Sequence, residues 1–197
     1  MKKGQNFNHP KRGSQTKVEP IRELKDIAAI KKLLADSPLY SALFIVGINT
    51  NLRASDLLNI RAGQVQGLKA MDEIEIREKK TQKTRRISLN KNCIEAINRL
   101  LASKSYTIED YLFQGLRGRL TVPSLHRLVK SWCTMINLKG KYGSHTLRKT
   151  WGYMQRVQFG TGLPELMTCF NHSTQRQTLD YLRIQPDEVK NVYANAL

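Results

Sequence analysis

One stretch constrains the fold more than any other. In "DEIEIREKKTQKTRRISL", residues 72–89, Ile74 and Ile76 alternate with charged neighbours, and Ile87 and Leu89 alternate with polar or charged ones. A period of two on each side of the polar tip "KKTQKT" predicts an antiparallel hairpin with one buried face. It is the only good strand signal in the chain, although "GQVQGL" could add a third, short strand.

Helical periodicity fills the rest. "IRELKDIAAIKKLLADS" spaces Leu24, Ile27, Ile30 and Leu34 near 3.6 residues, and "SPLYSALFIVGINT" reads as a core helix. Ser55 is expected to cap a short helix "DLLNI", with Asp56 in its first turn. After the hairpin come "NKNCIEAINRLLAS", capped by Asn90 or Asn92, and "TVPSLHRLVKSWCTMINL", with Pro123 near its first position. "SHTLRKTWGYMQRV", "LPELMTCF" and "TQRQTLDYLRI" complete the helices. The order of helices, a small sheet, then helices predicts a mainly α domain with a small antiparallel β-sheet, an α+β fold.

The chain has 33 Lys and Arg against 16 acids, a formal charge of +17. Nucleic acid is the partner such an excess suits best, because each phosphate contact releases condensed counterions. No apolar run is long enough to span a bilayer, and no secretion signal opens the chain. The expected location is the cytoplasm, on the nucleoid, with no membrane partner. Cys93, Cys133 and Cys169 form no CxxC pair, and the four histidines have no metal-binding spacing. The cysteines read as small buried residues, and no metal or cofactor is expected. Residues 1–19 are basic and read as a flexible arm, with a single domain over 20–197.

Within "SHTLRKT", a helix capped by Ser144 would put His145 and Arg148 on one face near its N-terminus, where anions bind. In "FNHSTQRQTLDYL", His172 is followed nine residues later by Tyr181. "NLRASDLL" sets Arg53 in a polar turn after a core helix. Counting in twos from Ile74 and Ile76 through Glu78 reaches Lys80, which then shares their inward parity. Lys79 has the opposite parity, and Lys83 lies past the hairpin tip. Taken singly, each motif is a common chance pattern.

The ordered set resembles the catalytic domain of the tyrosine recombinases, which include phage integrases, Xer-type recombinases and fimbrial invertases. That family carries an arginine in a "GLRxSEL"-like turn, a hairpin lysine, an HxxR helix, an "LGHS" histidine and a tyrosine nine residues later. Here the motifs read "NLRASDL", "KKTQKTRRISL", "SHTLRKT", "FNHST" and "TLDYL". Asn171 stands where the family has glycine, Phe170 where it has leucine, Asn51 where glycine is frequent, and Lys149 where histidine is common. Asparagine tolerates positive φ better than most residues, so both turns should survive. Most relatives carry a separate helical domain in front. Here only the basic arm precedes the catalytic part, which resembles either the short, stand-alone fimbrial-invertase type or a fragment of something longer.

The resemblance implies metal-free, cofactor-free transesterification. Tyr181 would attack the phosphodiester and form a 3′-phosphotyrosyl link. Arg53 and Arg148 would clamp the non-bridging oxygens in the bidentate way that lysine cannot. Lys80 would protonate the leaving 5′-oxygen, His172 would donate to the transition state, and His145 would assist proton transfer from Tyr181. Asp56 would support the first motif. Lys83, Arg85, Arg86 and Lys149 are candidate DNA contacts, and Tyr193 is a spare tyrosine on a C-terminal helix. Double-stranded DNA, further copies of the chain as a dimer or tetramer on it, and an accessory DNA-bending protein are the implied partners. Two other readings stay open: a DNA-binding regulator that kept the fold without turnover, and a type IB topoisomerase-like nicking-closing enzyme.

Overall fold

The computed structural model describes residues 18–78 and 82–184. Lys79, Lys80, Tyr193 and the arm over residues 1–17 lie outside the described residues. Among the described residues, eight α-helices surround two short antiparallel hairpins. No described helix is long and apolar enough to cross a membrane.

Helix α2 (Pro38–Asn49) is the central element. Its N-terminus is set by Pro38 at the first position and by Ser37, whose hydroxyl accepts from the Tyr40 amide. Ala42, Leu43, Phe44, Val46, Gly47 and Ile48 are all buried, so apolar neighbours must enclose it. Helices α4 (Lys91–Ala102) and α6 (Thr146–Val157) pack against it. A Cβ at Gly47 would lie 2.5 Å from Leu147 Cδ1, so the missing side chain lets α6 come close. Helices α1 (Leu24–Leu33) and α5 (Val122–Met135) close the other side. The ring of Trp132 on α5 meets Phe44 edge-on at 6.1 Å.

Strands β1 (Glu73–Arg77) and β2 (Thr84–Ser88) pair as the alternation requires, with Ile74 opposite Ile87 and Ile76 opposite Arg85. Ile74, Ile76, Ile87 and also Glu78 are buried, so the inward parity runs on past the strand end. The stretch "GQVQGL" is not a strand. Residues Ala62–Gln64 form a 3₁₀ turn whose amides are taken by a loop, with Ala62 N–H donating to the Asp110 carbonyl and Gly63 N–H to that of Ile108. A second hairpin, β3 (Gln114–Gly115) and β4 (Gly118–Arg119), is too short to leave a periodic signal.

Caps differ from expectation in two places, by two residues at helix α3 (Ala54–Leu57) and by one at α6. Helix α3 begins after Arg53 and α6 after His145, and neither cap residue bonds its helix through its side chain. Asn90 does cap α4, accepting from the Cys93 amide at 3.0 Å. Helices α7 (Leu163–Phe170) and α8 (Gln175–Leu182) sit over the end of α6. Leu166, Phe170 and Leu182 are buried there, with Trp151, Tyr181 and Ile184 against them, in a small cluster distinct from the main core. A Cβ on Gly152 would collide with the Phe170 ring and with Leu182, so glycine is what admits this cluster to α6.

Candidate active site

The residues singled out from the motifs come from four separate segments. Arg53 follows a left-handed turn at Asn51, whose φ is 52°. Its guanidinium pairs with Glu78 at 2.6 Å and lies 3.9 Å from Asp56. Glu78 also pairs with Arg85 at 3.1 Å. This buried carboxylate thus joins the hairpin to the Arg53 turn, a role that no local pattern assigns. Only its parity pointed inward.

Helix α6 supplies His145, Arg148 and Lys149. Arg148 is 4% exposed. One of its amino groups donates to the Phe170 carbonyl at 3.2 Å, while Nη1 is buried and has no hydrogen-bond partner among the described residues. Burial, opposed by Tyr181 and reinforced by the charge of Arg53, brings its pKa down to about 10, so the group stays cationic near neutrality. His145 caps the helix at the surface of the site. Loss of solvent around its ring, then the charges of Arg148, Lys149 and Arg53, lower its pKa and favour neutral imidazole.

The turn between α7 and α8 supplies His172. Asn171 ends α7 in the left-handed conformation, with φ 56°. The substitution of asparagine for glycine is therefore accommodated at both turns. The His172 ring stacks on Phe170 at 5.1 Å and meets Tyr181 edge-on at 5.3 Å. Its Nδ1 lies 3.1 Å from the buried hydroxyl of Thr178. Burial and the charges of Arg148 and Arg53 lower its pKa.

Tyr181 lies on α8, whose N-terminus is capped by Thr174, the Gln177 amide donating to its hydroxyl at 3.1 Å. Its phenolic oxygen is buried and meets no partner at hydrogen-bonding geometry, although Arg148 stands near enough to favour the phenolate. Burial raises the phenol's pKa; Arg148 and Arg53 act against that. Arg53, Arg148, His172 and Tyr181 thus lie within one another's fields.

The expected DNA contacts divide. Lys83 and Arg86 are exposed, Arg85 turns inward to Glu78, and Lys149 is 6% exposed with its ammonium 4.9 Å from the centre of the Tyr181 ring. Cys93 and Cys133 are buried, as read from the sequence, and Cys169 is half-buried.

A probable integrase/recombinase, YoeC, of Bacillus subtilis is 33% identical over 181 residues, covering 89% of this chain and 95% of its own. The fold is that of a XerA recombinase, with a TM-score of 0.73 at 17% identity, covering 92% of this chain and 65% of that one. It is equally that of a XerH site-specific recombinase solved bound to its difH substrate after cleavage, with a TM-score of 0.73 at 18% identity, covering 92% of this chain and 54% of that one. The chain thus spans about two thirds and about half of these two solved proteins. The phage integrase family matches residues 21–188, and the chain belongs to that family.

Proposed function

We propose that this chain is a site-specific DNA recombinase that cuts and rejoins strands through a 3′-phosphotyrosyl link to Tyr181. One observation carries the reading. Two buried polar groups of opposite chemical use, Arg148 Nη1 and the Tyr181 hydroxyl, lie near one another, and neither makes a hydrogen bond of good geometry among the described residues. Orphaned buried donors are costly. A scissile phosphate would satisfy the arginine and present phosphorus to the tyrosine.

Arg53 and Arg148 clamp the non-bridging oxygens, and His172 donates to the same charge as it develops. His145, neutral at working pH, takes the phenolic proton. Lys80 protonates the departing 5′-oxygen; its support is the inward parity of Ile74, Ile76 and Glu78 that leads to it. Asp56 and Glu78 hold Arg53. Lys83 and Arg86 meet the DNA backbone.

Exchange between two duplexes needs four strand cuts, and each chain carries one nucleophile. Four copies therefore assemble on paired sites as two dimers, with an accessory bending protein bringing the sites together. The work is done where the DNA lies, on the nucleoid.

The test is covalent capture. The protein is incubated with sheared genomic DNA from its source and denatured, and DNA still attached to it is sequenced, with Tyr181→Phe alongside. Adducts that vanish in the variant support the reading and reveal the target. Adducts that persist in Tyr181→Phe overturn it.

A further inference from the structure

A lysine is a strange residue to bury beside two arginines. Lys149 follows Arg148 on α6, is nearly inaccessible, and shares the site with Arg53. Desolvating an ammonium is costly unless something in the site favours the charge. The Tyr181 ring is one group that does so, since its π face lies within the distance at which cation–π attraction acts.

We propose that Lys149 is a positioning residue for the nucleophile, holding the Tyr181 ring by its face and favouring the phenolate as its proton leaves. The inference rests on the reading of Tyr181 as nucleophile. Three contacts fix the ring: Phe170 at 5.1 Å, the edge of His172 at 5.3 Å, and Lys149 at 4.9 Å. Of these three, Lys149 is the one that brings a permanent cation to the face of the ring. As the Oη–H bond breaks and the proton passes to His145, electron density spreads over the ring and the attraction to the ammonium grows. The Oη–P bond then forms while the P–O5′ bond breaks, the 5′-oxygen takes its proton from Lys80, and the surplus ring charge disappears. An interaction strongest between the two neutral ends lowers the barrier in both directions, which a reaction that must also reseal DNA requires.

Other charges face the same ring. Arg148 comes from α6, Arg53 from the cap of α3, and His172 from the turn before α8; Asp180 on α8 itself points to solvent. Arg148 and Arg53 are committed to phosphate in the reading above, and phosphate cancels much of their influence on the phenol once DNA is bound. Lys149 lies on the ring rather than on the phosphate side, so its effect persists in the complex.

The experiment places 3-fluorotyrosine at position 181 and follows its ¹⁹F shift against pH in the free protein, in the parent, Lys149→Met and Lys149→Arg. Lys149→Met keeps the side chain's length and removes the charge. The expected result is a midpoint raised by about one pH unit in Lys149→Met, a tenfold loss of phenolate at a given pH, with Lys149→Arg close to the parent. Adduct formation on the duplex recovered by capture should fall about tenfold in Lys149→Met near neutrality and recover as the pH is raised. Equal urea midpoints for the three proteins exclude misfolding as the cause. Identical ¹⁹F midpoints in the parent and Lys149→Met overturn the proposal. If Tyr181→Phe still forms adducts, the nucleophile itself is wrong and the proposal falls with it; that outcome is distinguishable because the ¹⁹F titration does not depend on cleavage.

Discussion

The Asn51 side-chain amide donates to the backbone carbonyl of Cys169 at 2.6 Å, tying the turn before Arg53 to helix α7, which ends at the turn bearing His172. Two motifs 118 residues apart are thereby set relative to one another by a single side chain. Asn51→Gly keeps the positive φ and loses the tether. The expected cost is about 1 kcal/mol of stability, read by urea unfolding, with a roughly tenfold slower adduct formation as Arg53 and His172 lose register. Asn51→Ala should be worse on both counts, because alanine also bears the strain of the left-handed turn.

Arg148→Lys tests the clamp. Lysine keeps the charge and loses both the fork and the bond to the Phe170 carbonyl. Single-turnover cleavage of a nicked duplex carrying the captured site should fall by about 10²–10³, while affinity for the same duplex changes little. A large loss of affinity with a normal cleavage rate would remove Arg148 from the chemistry.

Thr178 faces a histidine six residues before it, a pairing that no obvious motif marks. Its hydroxyl faces His172 Nδ1, and a proton donated there leaves Nε2 as the nitrogen that carries hydrogen toward the phosphate. Thr178→Val should slow adduct formation by about tenfold to a hundredfold, and Thr178→Ser should restore most of it. Equal rates in the valine and serine variants would remove the hydroxyl from the mechanism.

Stability should fall in acid through the two site histidines. Both His145 and His172 have lowered pKa values in the folded protein. As the pH drops through about 6.5, histidines in the unfolded chain take up protons before these two do. The stability they contribute is therefore present above that pH and lost as the pH falls through their folded values. The urea midpoint should decline from pH 7.5 to pH 5, and His172→Gln should decline less steeply than the parent. Parallel slopes would show that His172 is not perturbed.

Local patterns carried much of this structure. The hairpin was legible because its period is set by strand geometry, and the turns at Asn51 and Asn171 because few residues accept positive φ. Tertiary partners were not legible. Glu78 had inward parity, but only the folded chain brings Arg53 and Arg85 to its carboxylate. Lys149 is of a residue type normally solvated, and nothing in "LRKTWG" announces that α8 will cover it. Ser55 and Ser144 are good capping residues, yet the helices begin two residues before the first, at Arg53, and one residue after the second, at His145. The strand expected at "GQVQGL" lost its amides to the loop at residues 108–110, a contact with no local signature.

The small apolar cluster under α8 has its own consequence. Tyr181 rides on a helix of eight residues held chiefly by Leu166, Phe170 and Leu182 rather than by the main core. Such a unit opens at a lower free energy than the whole domain. The position of Tyr181 and thermal endurance are then inherited separately: a change under α8 can displace that side chain while the rest of the domain melts as before. On the reading of Tyr181 as nucleophile, whatever grips or frees those eight residues would set when a strand is cut.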